Sequence, residues 1–329
     1  MIAPVRPARS RAGPRAVRRS RGARARAVRE KEGAGCGARG PGVKSEGRET
    51  TRDGGVSVAG DGEREELART AADAATAVGD LLREAFRSRG MGVEFKEDHH
   101  DPVTEHDREA ERVIRALILE RHPGSRIVGE EQGPSGDGPA VWYVDPIDGT
   151  ANFTHGMAMF CTSVGVELDG ELVAGAIYDP VRDELFTAGP EGAFLNGTPI
   201  RAAGAGSDER ALLLTGYPSP GEAREPGALE RFGDLVTGFG TLRRPGSAAL
   251  ALAHVACGWA DVALSNSIKP WDVAAGYALV TRAGGRYVPL RARPGEPPWL
   301  APGYLAAVGE YPLETSAAWA ATRPWRAAG

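Results

Sequence analysis

The sequence predicts a mixed α/β fold in which an antiparallel, hairpin-built sheet precedes an α/β half with a partly parallel sheet. Three observations carry that expectation. Between Phe160 and Ile200, strand-like runs are joined by Asp169-Gly170 and Asn196-Gly197, dipeptides that accept the positive φ angles of a two-residue hairpin turn. From Ala211 onward, strand-like and helix-like patterns alternate, the order that places parallel strands beside covering helices. Ahead of both, Val141-Trp142-Tyr143-Val144 is a β-branched and aromatic run that stops at Asp145-Pro146, where proline fixes φ and removes a backbone donor.

Length and composition bound the rest. A chain of 329 residues has room for one large or two medium domains, and a hydrophobic share of 41% suffices for a buried core. Residues 1–62 are rich in Arg, Gly, Ala, Pro and Ser with almost no large apolar side chains, so they read as a disordered tail. Residues 1–40 hold eleven Arg and one Lys against Glu30 and Glu32, a net of +10; the whole chain is −4, which leaves −14 on residues 41–329. The tail fits three readings: a mis-assigned start, an organellar transit segment, or a polyanion-binding arm. It has no aromatic residues to stack on bases, so nucleic acid is not expected as a partner. Cys36, Cys161 and Cys257 are far apart and odd in number, which argues against a disulfide framework or a zinc site. No apolar run reaches the ~18 residues of a membrane span, so a cytoplasmic protein with no membrane partner is expected.

The folded region, 63–329, divides into an α+β half (63–205) and an α/β half (206–329). Leu67, Ala71, Ala74, Val78, Leu81, Leu82, Ala85 and Phe86 recur at helical spacing and predict a helix from Glu63 to about Arg89, closed by Gly90. Val93–Lys96 is a short extended piece, and Asp98 to Asp101, with His99 and His100, a polar loop. Thr104 and Asp107 form an N-cap pairing for a second helix to about Arg121, with Val113, Ala116, Leu117 and Leu119 as its apolar side. Ser125–Glu131 is a strand ending at Gly129 and two acids. Strands follow at Thr162–Leu168, Leu172–Tyr178, Glu184–Ala188 and Ala193–Leu195. In the second half, strands are expected at Ala211–Thr215, Gly240–Arg243, Ala260–Leu264 and Tyr304–Val308. Helices are expected at about Pro226–Val236, Gly246–Ala256, Pro270–Arg282 and Leu313–Ala321. Pro270 and Asp272 suit the first turn of their helix.

Asp107, Glu130, Asp145, Asp148 and Asp272 all lie at element ends. Two carboxylates that converge must share a cation or a proton, and oxygen-only ligands of this kind suit Mg²⁺. The stretches Val128-Gly129-Glu130-Glu131, Asp145-Pro146-Ile147-Asp148-Gly149-Thr150-Ala151-Asn152-Phe153 and Trp271-Asp272-Val273-Ala274-Ala275-Gly276 together resemble the inositol monophosphatase family, within the Mg²⁺-dependent, lithium-sensitive sugar phosphatases. The resemblance runs from about Glu63 to the end and implies a layered αβαβα sandwich. It implies a phosphomonoesterase in which Glu130, Asp145, the carbonyl of Ile147, Asp148 and Asp272 hold two or three Mg²⁺ ions per site. Asp107 and Thr150 look like the pair that activates the attacking water, assisted by Glu130, and the amides of Gly149 and Thr150 look like phosphate donors. Asp148, Gly246, Ser247, Ala248 and Ser265 match substrate-contacting positions. Lys96 and Thr104 match the catalytic loop, and Asp261 an acid behind the pocket. The substrate implied is a small phosphate monoester, myo-inositol monophosphate first, with histidinol phosphate or a sugar bisphosphate as alternatives. A homodimer is also implied. One departure bears on substrate. The animal enzymes carry an acid seven residues before the last metal-binding Asp, where this chain has Ser265. Lys269, close by, would suit a second anionic group.

Overall fold

The computed structural model describes residues 60–88, 93–95 and 102–326. Lys96, the loop with His99 and His100, Gly90 and residues 1–59 lie outside the described residues. The first helical region is two helices, α1 (Asp61–Thr76) and α2 (Gly79–Ala85), rather than one. The break falls at Ala77-Val78, just before Gly79, a poor helix former. The second helix stops at Ala85 because Phe86 turns its ring onto Phe153 and Phe160, and Arg87 follows at a φ of 63°.

A short antiparallel pair, β1 (Val93–Phe95) and β2 (Pro102–Thr104), leads into α3 (Glu105–Arg121), which Thr104 caps. The inward face of α3 is Ala110, Ile114 and Ile118 together with Glu111 and Arg115; Ala116 and Leu119 are exposed. An apolar stripe alone misplaces that face because a buried ion pair occupies part of it.

β3 (Arg126–Gly129), β4 (Gly133–Ser135), β5 (Ala140–Asp148), β6 (Cys161–Leu168), β7 (Glu171–Asp179), β8 (Glu184–Gly189), β9 (Gly192–Leu195) and β10 (Thr198–Pro199) form one sheet in the order β10-β9-β8-β7-β6-β5-β3-β4. α4 (Thr150–Thr154) lies between β5 and β6. Only β3 and β5 pair in parallel; the expected hairpins supply the rest. The Asp169-Gly170 and Asn196-Gly197 turns both have positive φ at each residue.

The second sheet comprises β11 (Leu212–Thr215), β12 (Thr241–Arg243), β13 (Val262–Ser265), β14 (Arg286–Leu290) and β15 (Gly303–Ala307), ordered β12-β11-β13-β15-β14. β12, β11 and β13 are parallel and the last two antiparallel, as a partly parallel sheet requires. β14, with Pro289 inside it, has no strand-like alternation and is an addition to the expected set. The chain steps from β11 to β12 through α5 (Ala228–Gly238), then back past β11 to β13 through α6 (Ala248–Ala256). Right-handed crossovers that run in opposite directions put α5 and α6 on opposite faces of the sheet. α6 packs on α7 (Pro270–Arg282), and both contact the strands of each sheet; α1 and α3 cover the other face of the large sheet, and α5 meets α8 (Ala317–Ala321). The result is the αβαβα sandwich. Gly165 and Gly175, paired across β6 and β7, let α7 lie flat: a Cβ on Gly175 would sit 2.6 Å from the Cα of Ala275. None of the described helices is long and apolar enough to cross a membrane.

Candidate active site

Two features of β5 bring the acids together. The first is parallel pairing. Gly129 of β3 lies opposite Val144, and the Glu130 amide donates to the Val144 carbonyl at 3.1 Å, so Glu130 emerges beside Asp145. The second is a bulge. Trp142 and Val144 belong to the core under α1 and α3, while Tyr143 belongs to the core on the α7 side, as strand alternation demands. Continued alternation would send Asp148 to the α1 and α3 side. The register instead slips by one residue between Asp145, opposite Ser163, and Asp148, opposite Cys161. Ile147 consequently joins the α1 and α3 core and Asp148 reaches the N-terminus of α6. Pro146, which has no N–H to offer, sits in the bulge, and Thr162 Oγ1 donates to its carbonyl at 2.9 Å. The Ile147 amide donates to Asp145 Oδ1 at 3.0 Å.

The remaining positions gather around that stretch. Thr150 Oγ1 stands 3.0 Å from Asp107 Oδ1 and 2.9 Å from the Ile147 carbonyl, one proton facing two acceptors. The other Asp107 oxygen accepts from the Thr104 amide at 2.8 Å and its hydroxyl at 2.6 Å, so the N-cap and the site share one carboxylate. Gly149, at a φ of 99°, makes the turn; a Cβ there would meet the Met159 carbonyl at 2.9 Å. Asp148 Oδ2 accepts from Ser247 Oγ at 2.5 Å and the Ala249 amide at 2.6 Å, and Oδ1 from the Ala248 amide at 3.3 Å. Asp272 Oδ2 accepts from the Lys269 amide at 2.7 Å at the start of α7. A cavity of about 200 Å³ opens here. Asp148, Gly246, Ser247, Ala248, Ser265 and Asp272 are among the residues lining it, whereas Asp107, Glu130, Asp145 and Thr150 are not. Asp261 lies away from it and spends its carboxylate on the amides of Ala205 and Leu212, at 2.6 and 2.7 Å. The Lys269 side chain is exposed.

The electrostatics are those of crowded acids. Burial, then the charges of Glu130, Asp148 and Asp272, hold the Asp145 carboxyl far above the ordinary range, and a hydrogen bond with Glu130 adds to the effect. Burial pushes Asp148 up to about 6 despite the three donors at α6. Asp272 is raised by burial and by Asp148. Asp107 is raised by burial, opposed by Thr104 and Thr150.

Residues 63–323 match the inositol monophosphatase family. The chain belongs to the inositol monophosphatase family. It is 39% identical over 229 residues to the inositol-1-monophosphatase of Synechocystis, covering 68% of this chain and 79% of that one. It is 39% identical over 219 residues to the Nus factor SuhB of Pseudomonas aeruginosa, covering 64% and 81%. The solved inositol monophosphatase of Anabaena superposes with a TM-score of 0.65 at 33% identity, covering 75% of this chain and 92% of that one. Membership makes the chain a phosphoric monoester hydrolase acting on small phosphate esters.

For a member of this family the donor set matters. Among the described residues, no three His, Cys, Asp or Glu side chains are arranged as they stand to hold a metal ion, and Asp148 and Asp272 accept hydrogen bonds at helix N-termini. The chemistry of the set nonetheless fits a hard divalent cation: all-oxygen, buried, and charged alike, so that its members are driven toward protonation when nothing positive balances them.

Several neighbours were not legible as site residues. Asn152 Nδ2 donates to the carbonyls of Met159 and Pro245, both at 2.7 Å, and so ties the turn after β5 to the approach to α6. Ser163, opposite Asp145, donates to the Trp271 carbonyl at 3.1 Å and seats α7. Thr215, Ser267 and Tyr304, each bearing a hydroxyl, also line the cavity. Asn152 stands inside the motif after Asp148, which gives no hint of this bridge; Ser163, Thr215, Ser267 and Tyr304 have no sequence signal, because each is a common residue made local only by the fold.

Proposed function

We propose that the protein is a Mg²⁺-dependent phosphomonoesterase that hydrolyses the phosphate monoester of a small, otherwise uncharged polyol, myo-inositol monophosphate first, by direct in-line attack of water. The observation that carries this reading is the crowding of buried acids, Asp145 feeling the charges of Glu130, Asp148 and Asp272, beside a cavity that Asp148 and Asp272 line together with hydroxyl-bearing residues. Apart from Asp148 and Asp272, the lining offers Thr215, Ser247, Ser265, Ser267 and Tyr304 with small or apolar residues, and no Lys, Arg or His. A volume of about 200 Å³ and that lining suit a ring of hydroxyls.

Glu130, Asp145, the Ile147 carbonyl, Asp148 and Asp272 would hold the cation. Bound Mg²⁺ supplies charge neutralisation of the phosphate, a lowered water pKa and a stabilised leaving alkoxide. The chain's own residues do the rest. Thr150 passes its hydroxyl proton toward Asp107 and turns a lone pair to the attacking water, with Glu130 beside it. The Gly149 and Thr150 amides receive phosphate oxygens. Ser247 and Ala248 fix Asp148, and Ser265 offers one hydrogen bond where a carboxylate would bind two hydroxyls.

A second reading, a sugar bisphosphate, rests on Arg244. This exposed side chain donates to the carbonyls of Gly216 and Pro218 at 3.0 and 2.9 Å, beside the cavity rim that Gly216 and Pro245 form. Histidinol phosphate is less well suited, because its ammonium group would need an acid where Ser265 stands.

Two measurements test the proposal. With Mg²⁺, kcat/KM should rank inositol 1-phosphate above fructose 1,6-bisphosphate and histidinol phosphate. A bisphosphate preference that Arg244→Ala abolishes would favour the second reading. Asp145→Asn should lower kcat by about 10²-fold or more, the scale of losing one preorganised group at a developing charge. The same substitution should raise metal-free stability by about 1 kcal/mol, since it removes a buried like charge. Parent-like turnover in Asp145→Asn would sink the mechanism.

A further inference from the structure

One face of α3 serves more than Thr150. Asp107, Glu111 and Arg115 follow at four-residue spacing and all three are buried. Asp107 meets Thr150, as described. One turn on, Glu111 Oε2 accepts from the Glu131 amide at 2.6 Å, and Oε1 accepts from the Gln132 amide at 3.1 Å and from Arg115 Nε at 2.7 Å. Arg115 in turn donates from Nη1 to Ser135 Oγ at 2.7 Å and from Nη2 to the Gly133 carbonyl. The segment from Glu131 to Ser135, which joins β3 to β4 and runs through it, is thus gripped at four points by a single ion pair. Gly129 is pressed so closely on the pair that a Cβ there would overlap the Glu111 carboxylate and crowd Arg115.

Glu130 sits inside that grip. Its own amide is pinned by the Val144 carbonyl of β5, and the two amides after it are pinned by Glu111. Stability alone is a poor reason to bury such a pair, because desolvating two charges offsets most of their attraction. We propose that Glu111, held by Arg115, is a positioning residue: it fixes the backbone that aims Glu130 at the Asp145 cluster, and it does so from the helix face that also aims Asp107 at Thr150. One rigid element then sets the spacing between the cation-holding and water-activating groups. This inference rests on the function proposed above. Glu111 itself touches neither substrate nor cation.

The test titrates Mg²⁺ alone into the full chain by calorimetry, without substrate, and then measures kcat and KM for inositol 1-phosphate. Glu111→Gln keeps the volume but replaces one of the two acceptor oxygens with an NH₂ and breaks the ion pair. Glu111→Asp keeps the charge but falls short of the Glu131 and Gln132 amides. Both should weaken Mg²⁺ binding by about 10-fold or more, as removal of groups behind metal ligands does. Both should lower kcat at saturating Mg²⁺ with little change in KM. Gly129→Ala, which pushes on the pair from the β3 side, should reproduce the loss. If a variant folds poorly, the rise in melting temperature on adding saturating Mg²⁺ still reports the site in whatever fraction folds, and that rise should shrink. Mg²⁺ affinity and kcat unchanged in both Glu111 variants, with only the melting temperature lowered, would overturn the inference and leave the proposed function standing. A parent chain that binds no Mg²⁺ would overturn both.

Discussion

Asp145 and Asp148 are three residues apart and would face opposite ways on a regular strand. They act on one site because of a single extra residue at Pro146-Ile147, whose carbonyl and amide find Thr162 and Asp145. Elsewhere a half-buried titratable side chain has no part in the chemistry. His254 of α6 packs on the Trp259 ring at 5.4 Å. Burial first, and then the charge of Arg182, lower its pKa to about 4, with Asp179 opposing. In the unfolded chain it titrates near ~6.5. Between those values the unfolded state binds the extra proton, so the stability His254 contributes is complete above about pH 6.5 and is lost as pH falls toward 4. The loss is on the order of 2–3 kcal/mol. Urea unfolding at pH 7 and pH 4.5 should therefore show a smaller stability drop for His254→Leu than for the parent. The acid cluster titrates alike in both chains and cancels in the comparison. Equal drops would refute this account of His254.

At the scale of elements, α7 is the piece whose placement matters most, because its first turn carries Asp272. It lies on β6 and β7 through Ala274 and Ala275 against Gly165 and Gly175. Gly175→Val would thrust a branched side chain into the backbone of Ala275, 2.6 Å from where the Cβ would begin. Overpacking of this kind costs about 1–3 kcal/mol. The helix must also lift away from the sheet, so Mg²⁺-dependent kcat should fall by more than the lost stability explains, measured well below the melting temperature. A stable Gly175→Val enzyme with full kcat would show that α7 tolerates displacement. These elements also mark where sequence reading works. Hairpins with Asp-Gly and Asn-Gly turns, and helices begun by Ser247 or Pro270, are local events and were legible. The inner face of α3 was not, because Glu111 and Arg115 are polar residues that only a tertiary partner makes buried. β14 was not, because Arg286 and Pro289 break the alternation that pairing with β15 makes unnecessary. The acids of the candidate site were legible through their motifs. The bulge that points two of them the same way, and the bridge made by Asn152, depend on contacts across the sheet.

At the scale of the whole molecule, charge separates the chain. Residues 1–40 carry +10 and the remainder −14, and the family match begins at residue 63, two residues after α1 starts at Asp61. The sheets, α6, α7 and every acid of the candidate site lie within that match. A phosphate dianion approaching the candidate site depends first on the cation and amides there, because charges separated by more than ~8 Å are largely screened at physiological ionic strength. A chain shortened to begin near residue 60 should therefore keep its melting temperature, and its Mg²⁺-dependent kcat/KM should stay within about two-fold of the full chain at that ionic strength. Salt should separate the two chains where screening is weak: at ~0.01 M, with a Debye length of ~30 Å, the full chain should gain kcat/KM on a dianionic ester relative to the shortened one. Loss of turnover in a shortened chain that still folds would overturn this division. It would assign part of the substrate's binding to residues 1–59, and the hydroxyl-lined cavity would then be only a portion of the specificity site.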